Sequence, residues 1–430
     1  MGWIYLTVKG QSFDNASNMS GRYNGLQAHL KQKKTLIHYV PCAAHSLNLV
    51  GVNSIEGSSL EVGQYFDLLQ SLYTFCAGST HRWERVFRNS DIHIDLTLKS
   101  LSNTRWSCRA DSTKALWQNY VKIREALESI AEDETEKRDT RSEARTLAVK
   151  LNKLETAFMA NFWNTILARF QLTSLQLQKA DIDLMTAVRL LKSLRDFVLA
   201  QRGLFTDFER EALAVPGVCQ TYKYDLQRTR KRKRFEDDSA EKDAVFDGKS
   251  KFQIETFNVA IDKLVSCLSH RIDAYKHLCD LFGVLFMLEN TPDCELINKA
   301  NSLASAYPAD LDSNLGNELI HFRAFIRSDG QNVPPPKCLK TILDCGLQST
   351  FPNVYIAIRL YLTLPVTNCE GERSFSQMAR IKNELRTKMT QRRLNSLSLM
   401  AIESELVRDM NFDDLIKDFS SKKARKKPTF

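Results

Sequence analysis

The sequence predicts a mostly α-helical protein with a short, incomplete sheet near its N-terminus and a large helical insertion behind it. Three observations lead there. Two short runs rich in β-branched and aromatic residues, 3–8 and 35–40, stand before residue 50. From 115 to about 345 strand patterning is scarce, and apolar residues recur every three to four positions, as in Leu184, Val188, Leu191, Leu194 and Val198. After Pro365, residues Phe375, Met378, Ala379, Ile381 and Leu385 return at near-helical spacing. With 43% apolar residues in a chain of 430, a real core is available and the chain reads as globular, not disordered.

Taken in order, the run 3–8 reads as a buried strand, and Gly10-Gln11-Ser12-Phe13-Asp14-Asn15-Ala16-Ser17-Asn18-Met19-Ser20-Gly21 follows it. Asp14 has two readings on local chemistry: a carboxylate delivered from a strand end, or the cap of a helix starting near Asn15. The run 35–40 is the second strand, ended by Pro41, and Cys42-Ala43-Ala44-His45-Ser46-Leu47-Asn48-Leu49-Val50 opens a helix. Cys42 and His45 offer two ligands where zinc takes four, and no second pair lies at finger spacing. They are expected to form a buried polar pair, with no confident metal site. Helices are read at 64–75 and 82–88. At Thr104-Arg105-Trp106 the indole is either a platform for a nucleic-acid base or a core tryptophan with Arg105 laid over it, and both readings stay open.

The helical period resumes in Ile261, Leu264, Leu268, Ile272, Tyr275, Leu278 and Phe282, and no repeat of fixed length is visible, so the insertion reads as a bundle. One break interrupts it, from 214 to 251. Its centre, Arg228-Thr229-Arg230-Lys231-Arg232-Lys233-Arg234, holds six cations in seven residues and precedes Glu236-Asp237-Asp238. Like charges at that density cannot pack together, which predicts an exposed loop serving nuclear import or nucleic-acid contact. A second loop spans 328–337, a helix occupies 354–364, and the chain closes on a basic tail. Around the helix after Pro365, Leu394, Leu397, Leu399, Met400 and Ile402 extend the apolar surface. Arg373, Arg380, Lys382, Arg386, Lys388, Arg392 and Arg393 coat it.

A net charge of +9 and a pI near 8.9 favour a polyanionic partner such as DNA. Ten scattered cysteines without a CxxC pair read as reduced thiols of a nuclear or cytosolic protein. No basic lead precedes an apolar run and no stretch approaches the ~18 apolar residues of a membrane span, so no membrane partner is expected. Motifs of the GxxxxGK[ST], HExxH and GxSxG types are missing, which leaves nucleotide hydrolysis, zinc proteolysis and α/β-hydrolase chemistry unsupported. No small-molecule substrate is expected.

Glu372-Arg373-Ser374-Phe375-Ser376, then Ile381-Lys382-Asn383 and Leu385-Arg386, resemble the C-terminal dimerisation block of hAT-family DNA transposases. Within that family they look most like the branch of zinc-finger MYM-type and general transcription factor II-I repeat-like proteins. The run 10–21 is similar to the family's GQ-x-x-D-x-A-x-NMSG block, 42–49 to its CxxH-x-LNL block and 104–106 to its T-R-W block. The resemblance implies a partial α/β ribonuclease H-like core at 1–110, a helical insertion at 111–345 with its basic loop at 214–251, a dimerisation region at 346–410 and a basic tail at 411–430. It also implies Asp14 and Glu372 as the second and third acids of an Asp, Asp, Glu site, with Cys42 and His45 at its edge.

For DNA contact the expected residues are Arg105, Trp106, Arg228, Arg230, Lys231, Arg232, Lys233 and Arg234. For the dimer surface they are Tyr355, Ile358, Leu360, Leu362, Phe375, Leu394 and Leu397. The family's core starts with three strands, the first bearing the first Asp, behind a zinc-finger domain, and neither is read in this chain. Two carboxylates 4 Å apart repel by about 4 kcal/mol at an effective dielectric near 20, and a metal must offset that. The expectation is therefore a transposon-derived nuclear protein, N-terminally truncated and catalytically incomplete, with vestigial acids. It self-associates and binds DNA, with no cofactor as written and Mg or Mn only in a longer active form. Two alternatives stay open: a fragment of an active transposase that cleaves DNA and transfers strands, and a chromatin module that contacts protein alone.

Overall fold

A computed structural model describes residues 8–33, 37–88, 96–101, 106–225, 247–289, 291–326 and 333–422. The chain divides into two compact units, 1–367 and 368–430. Of the described residues 74% are helical and 2% lie in strands, so the protein is mostly α with a minimal sheet.

In the first unit, β1 (Gly10–Phe13) pairs in parallel with β2 (His38–Pro41), with Gly10 opposite His38 and Phe13 opposite Pro41. Helices α1 (Ser17–Ser20) and α2 (Leu26–Lys33) form the crossover. The strand expected at 3–8 lies outside the described residues except for Val8, which is not in a strand. The strand that is described runs through Gly-Gln-Ser-Phe, of which Gly has little strand preference. Tertiary contact holds them extended: a Cβ on Gly10 would stand 2.7 Å from Pro365 Cδ, so only glycine lets the strand lie against 364–365. β2 also runs one residue further than read. Pro41 has no N–H, and the next amide, Cys42 N, donates to Phe13 O at 3.2 Å.

His38 on β2 sits half-buried between the rings of His277, 6.2 Å away, and Tyr307, 5.8 Å away. Burial, then the His277 and Lys31 charges, hold its pKa below the ordinary 6.5. On acidification the unfolded chain therefore takes up this proton first. The stabilising contribution is complete above about pH 6.5 and is lost as pH falls through the lower folded-state value. Urea unfolding at pH 7 and pH 5 is expected to show a smaller loss of stability on acidification for His38→Asn than for the parent chain. Equal losses would exclude His38 as a source.

Behind the sheet come α3 (Ala43–Glu56), α4 (Leu60–Ala77), α5 (Thr80–Phe87), α6 (Trp106–Gln118), α7 (Tyr120–Glu132) and α8 (Arg138–Leu151). The longest helix, α9 (Leu154–Leu177), buries residues on all faces and packs on α3, α4 and α6. Its Phe158 and Phe162 meet Phe205 of α11 (Phe205–Leu213) and Phe257 in edge-on and tilted pairs 5.0 to 5.5 Å apart. Between them runs α10 (Leu184–Ala200), N-capped by Asp183, which accepts from Thr186 N. Next follow α12 (Gly248–Phe252), a π-helical turn at Gln253–Asn258 and α13 (Val259–Asp273). The apolar period read across 261–282 is broken after Asp273, where the chain turns and Tyr275 hydrogen-bonds Pro41 O at 2.9 Å. It resumes in α14 (Lys276–Phe282). Finally α15 (Asp293–Ala306), α16 (Leu315–Ile326), α17 (Pro335–Asp344) and α18 (Pro352–Leu362) complete the unit. Regular structure among the described residues from 106 to 344 is all helical, as expected.

The second unit contains α19 (Cys369–Ile381), α20 (Gln391–Ile402), α21 (Ser404–Asp409) and α22 (Asp413–Ser421). α19 packs on α20, and Thr390 caps α20 by accepting from Arg393 N at 3.4 Å. Arg105, the cluster 228–234 and the tail from Lys423 lie outside the described residues.

Candidate functional site

Two parallel strands end side by side, and the residues just past their carboxyl ends are the ones a ligand crevice would use. Asp14 follows Phe13 of β1. Cys42 follows Pro41 of β2, with His45 one turn into α3. Asp14 does not cap a helix. The N-cap of α1 is Ala16, without a side-chain bond, and Asp14 Oδ1 only accepts from Ala16 N at 3.4 Å. The loop is tied to α3 by Asn15 Nδ2 donating to Ser46 Oγ at 3.3 Å. Cys42 Sγ lies 3.2 Å from His45 Nδ1 and 3.6 Å from Thr367 Oγ1, and Cys42 is fully buried. The spacing thus brings the two side chains together, Cys42 buried and His45 half-buried.

Tyr275 completes this edge. Its hydroxyl reaches Pro41 O and, at 3.4 Å, Ser46 Oγ, and burial drives its pKa well above the ordinary range, so it stays a neutral donor. Ala43 N donates to Val366 O at 3.0 Å, which places 364–367 against the sheet and the start of α3. Sequence reasoning missed Tyr275 and Val366, because their contacts join positions more than 200 residues apart. Glu372 sits in the first turn of α19, as its spacing after Pro365 predicts, and belongs to the second unit.

Trp106 opens α6 and is only 6% exposed. Its ring stacks on Phe170 at 5.7 Å and 28°, and its Nε1 donates to Asn48 O at 2.8 Å. Arg109 lies over it at 5.8 Å. Of the two readings the structure matches the core tryptophan. With both faces and the N–H engaged, the ring offers no free platform for a base.

The apolar residues expected on one dimer surface separate into two kinds. Helix α18 packs on α16 and α17; its Ile358 and Leu360 are buried, and Tyr355 and Leu362 are half-buried. Arg359 lies over the Tyr355 ring at 5.1 Å. Ile358 and Leu360 are thus covered within the first unit, whereas Tyr355 and Leu362 keep part of their surface exposed. In the second unit Leu394 is the one buried apolar side chain among the described residues, and Leu397 is half-buried. Phe375 is 69% exposed, Leu385 94% and Leu399 63%. Large apolar side chains on a helical unit without a core of its own describe a surface made to be covered.

Such a unit is the mark of a helical self-association module. Residues 343–406 match the hAT family C-terminal dimerisation region, so the chain carries that region. The chain is also similar to the human protein named 52 kDa repressor of the inhibitor of the protein kinase, 30% identical over 123 residues. The aligned stretch is 28% of this chain and 16% of that relative. Its mouse counterpart is 29% identical over the same length, again 16% of the relative. Together these fit a transposase-derived protein that self-associates. Among the described residues no helix is long and apolar enough to cross a membrane.

Proposed function

We propose that this chain is a transposon-derived nuclear protein that works by self-association through its second unit and binds DNA through its basic segments. The observation that carries the reading is the exposure of Phe375, Leu385 and Leu399 within a matched dimerisation region. Burying three such side chains supplies several kcal/mol at about 25 cal/mol per Å², and water is the poorer partner for all of them. Sedimentation of the full chain at micromolar concentration is expected to give a dimer or larger species. Phe375→Asp with Leu399→Asp should weaken association by about 100-fold. A strictly monomeric parent chain would remove the proposal.

The finer parts of the reading stand on sequence. The cations at 228–234 support DNA contact and a nuclear address, and the ERSFS wording at 372–376 supports the zinc-finger MYM-type branch. Phosphate neutralisation releases counterions, so retention on duplex DNA should fall steeply with added salt. Reversing Arg230, Lys231 and Arg232 to Glu should weaken it and flatten that slope. Retention that ignores salt would favour the protein-only chromatin module. In this reading Asp14 and Glu372 are relics of a ribonuclease H-like site. With Mg²⁺ or Mn²⁺ and a terminal-repeat oligonucleotide, no strand transfer is expected; transfer abolished by Asp14→Ala would establish the enzyme instead.

A further inference from the structure

The matched dimerisation region ends at 406, yet the apolar surface of the second unit does not. Leu406 is 65% exposed and Leu415 62%, and Leu415, Ile416 and Phe419 fall on one face of α22, which lies wholly past the match. The charges of the unit are divided just as unevenly. From 368 to 393 there are seven Lys and Arg against three acids; from 394 to 422 there are six acids against three cations. Arg380, Lys382, Arg386, Lys388, Arg392 and Arg393 are exposed on the first half, and Glu403, Glu405, Asp409 and Asp413 on the second. Lys417 and Lys422 pair locally within or next to α22, with Asp414 and Asp418.

We propose that the acidic, apolar-faced α21–α22 segment of one copy seats on the basic α19–α20 hairpin of a second copy, and reciprocally, so that the self-association surface extends past 406 to α22. This deepens the function proposed above and rests on it. A two-fold pair satisfies both halves at once: each acidic segment meets a basic hairpin, and the apolar faces of both are covered. Duplex DNA is the poorer occupant. It would take the basic half alone, leave Leu406, Leu415 and Ile416 in water and repel the acids beside them. The surface is continuous with the matched dimerisation region, which argues for the same occupant.

Charge reversal in the full chain tests this. One variant carries Asp409→Lys and Asp413→Lys; the other carries Arg386→Glu and Arg392→Glu. Each alone places like charges at both seats of its own pair, and its self-association should weaken by about tenfold or more. Mixed one to one, the two variants restore opposite charges at both seats, and sedimentation should recover a heterodimer within about threefold of the parent affinity. Recovery on mixing also shows that both variants fold. A parent that associates while either variant associates equally well, or a mixture that fails to recover, overturns the seating and leaves self-association standing. Arg386→Glu with Arg392→Glu removing duplex retention at unchanged association would assign the hairpin to DNA. A monomeric parent would overturn both proposals together.

Discussion

Trp106→Ala is expected to lower the unfolding free energy by about 3–5 kcal/mol, the loss typical of a large aromatic removed from a packed interior. The size follows from what the ring does. It stacks on Phe170, donates to Asn48 O at 2.8 Å and rests on Gly51 of α3 so closely that a Cβ there would stand 1.4 Å from its Cε2 atom. Three helices, α3, α6 and α9, therefore share one side chain. Gly51→Ala, which alters the other member of that contact, should cost about 3 kcal/mol, at the upper end of overpacking effects, because α3 and α6 must separate to admit the methyl group. Urea unfolding followed by far-UV circular dichroism measures both. Trp106→Phe separates the structural role from the base-stacking one. It keeps an aromatic face but loses the N–H donor and some volume, so it should lower stability by about 1–2 kcal/mol while DNA retention of the folded protein stays unchanged. Lost retention at full stability would restore the base platform.

The elements that were legible in the sequence are those whose signal is local. A helical period of three to four residues located α10, α13, α14 and α19, because an amphipathic stripe repeats within a few turns whatever it packs against. Pro365 marked the end of one helical stretch, and the Cys42 to His45 spacing fixed a contact one turn long. The illegible parts depend on partners far along the chain. β1 is extended because Gly10 lies against Pro365, 355 positions on. Nothing around Trp106 says that Gly51 is its floor. The apolar residues of α18 look the same in sequence whether they face a second copy or the interior of the first unit. Only the packing distinguishes Ile358 and Leu360, which are buried, from Phe375 and Leu399, which are exposed.

The largest effect outside the tryptophan is expected at Glu318, which no sequence motif marks. Its carboxylate, in the first turn of α16, accepts from Asn353 N at 2.8 Å, Val354 N at 3.2 Å and Asn353 Nδ2 at 2.6 Å. The first two are the open amides at the N-terminus of α18, which has no side-chain cap of its own at Phe351, and a negative charge there also meets the positive end of the helix dipole. Asn353 in turn exchanges hydrogen bonds with Asp312, donating to its Oδ1 and accepting from its N, each at 3.0 Å. Glu318→Ala strands these donors in a buried place, and about 3 kcal/mol of stability should go with them. Glu318→Gln keeps one acceptor oxygen but turns an NH₂ toward a donor, so it should fall between the parent and the alanine variant. The functional consequence is specific. α18 lies within the matched region 343–406, and Tyr361 near its end donates to Asp183 and accepts from Met185 N at 2.9 Å, fixing α18 on α10. If the free apolar face of the second unit alone carries association, Glu318→Ala should lower the urea midpoint and leave the dissociation constant of the folded protein unchanged. A parallel fall in both would mean that α18 itself forms part of the surface between copies.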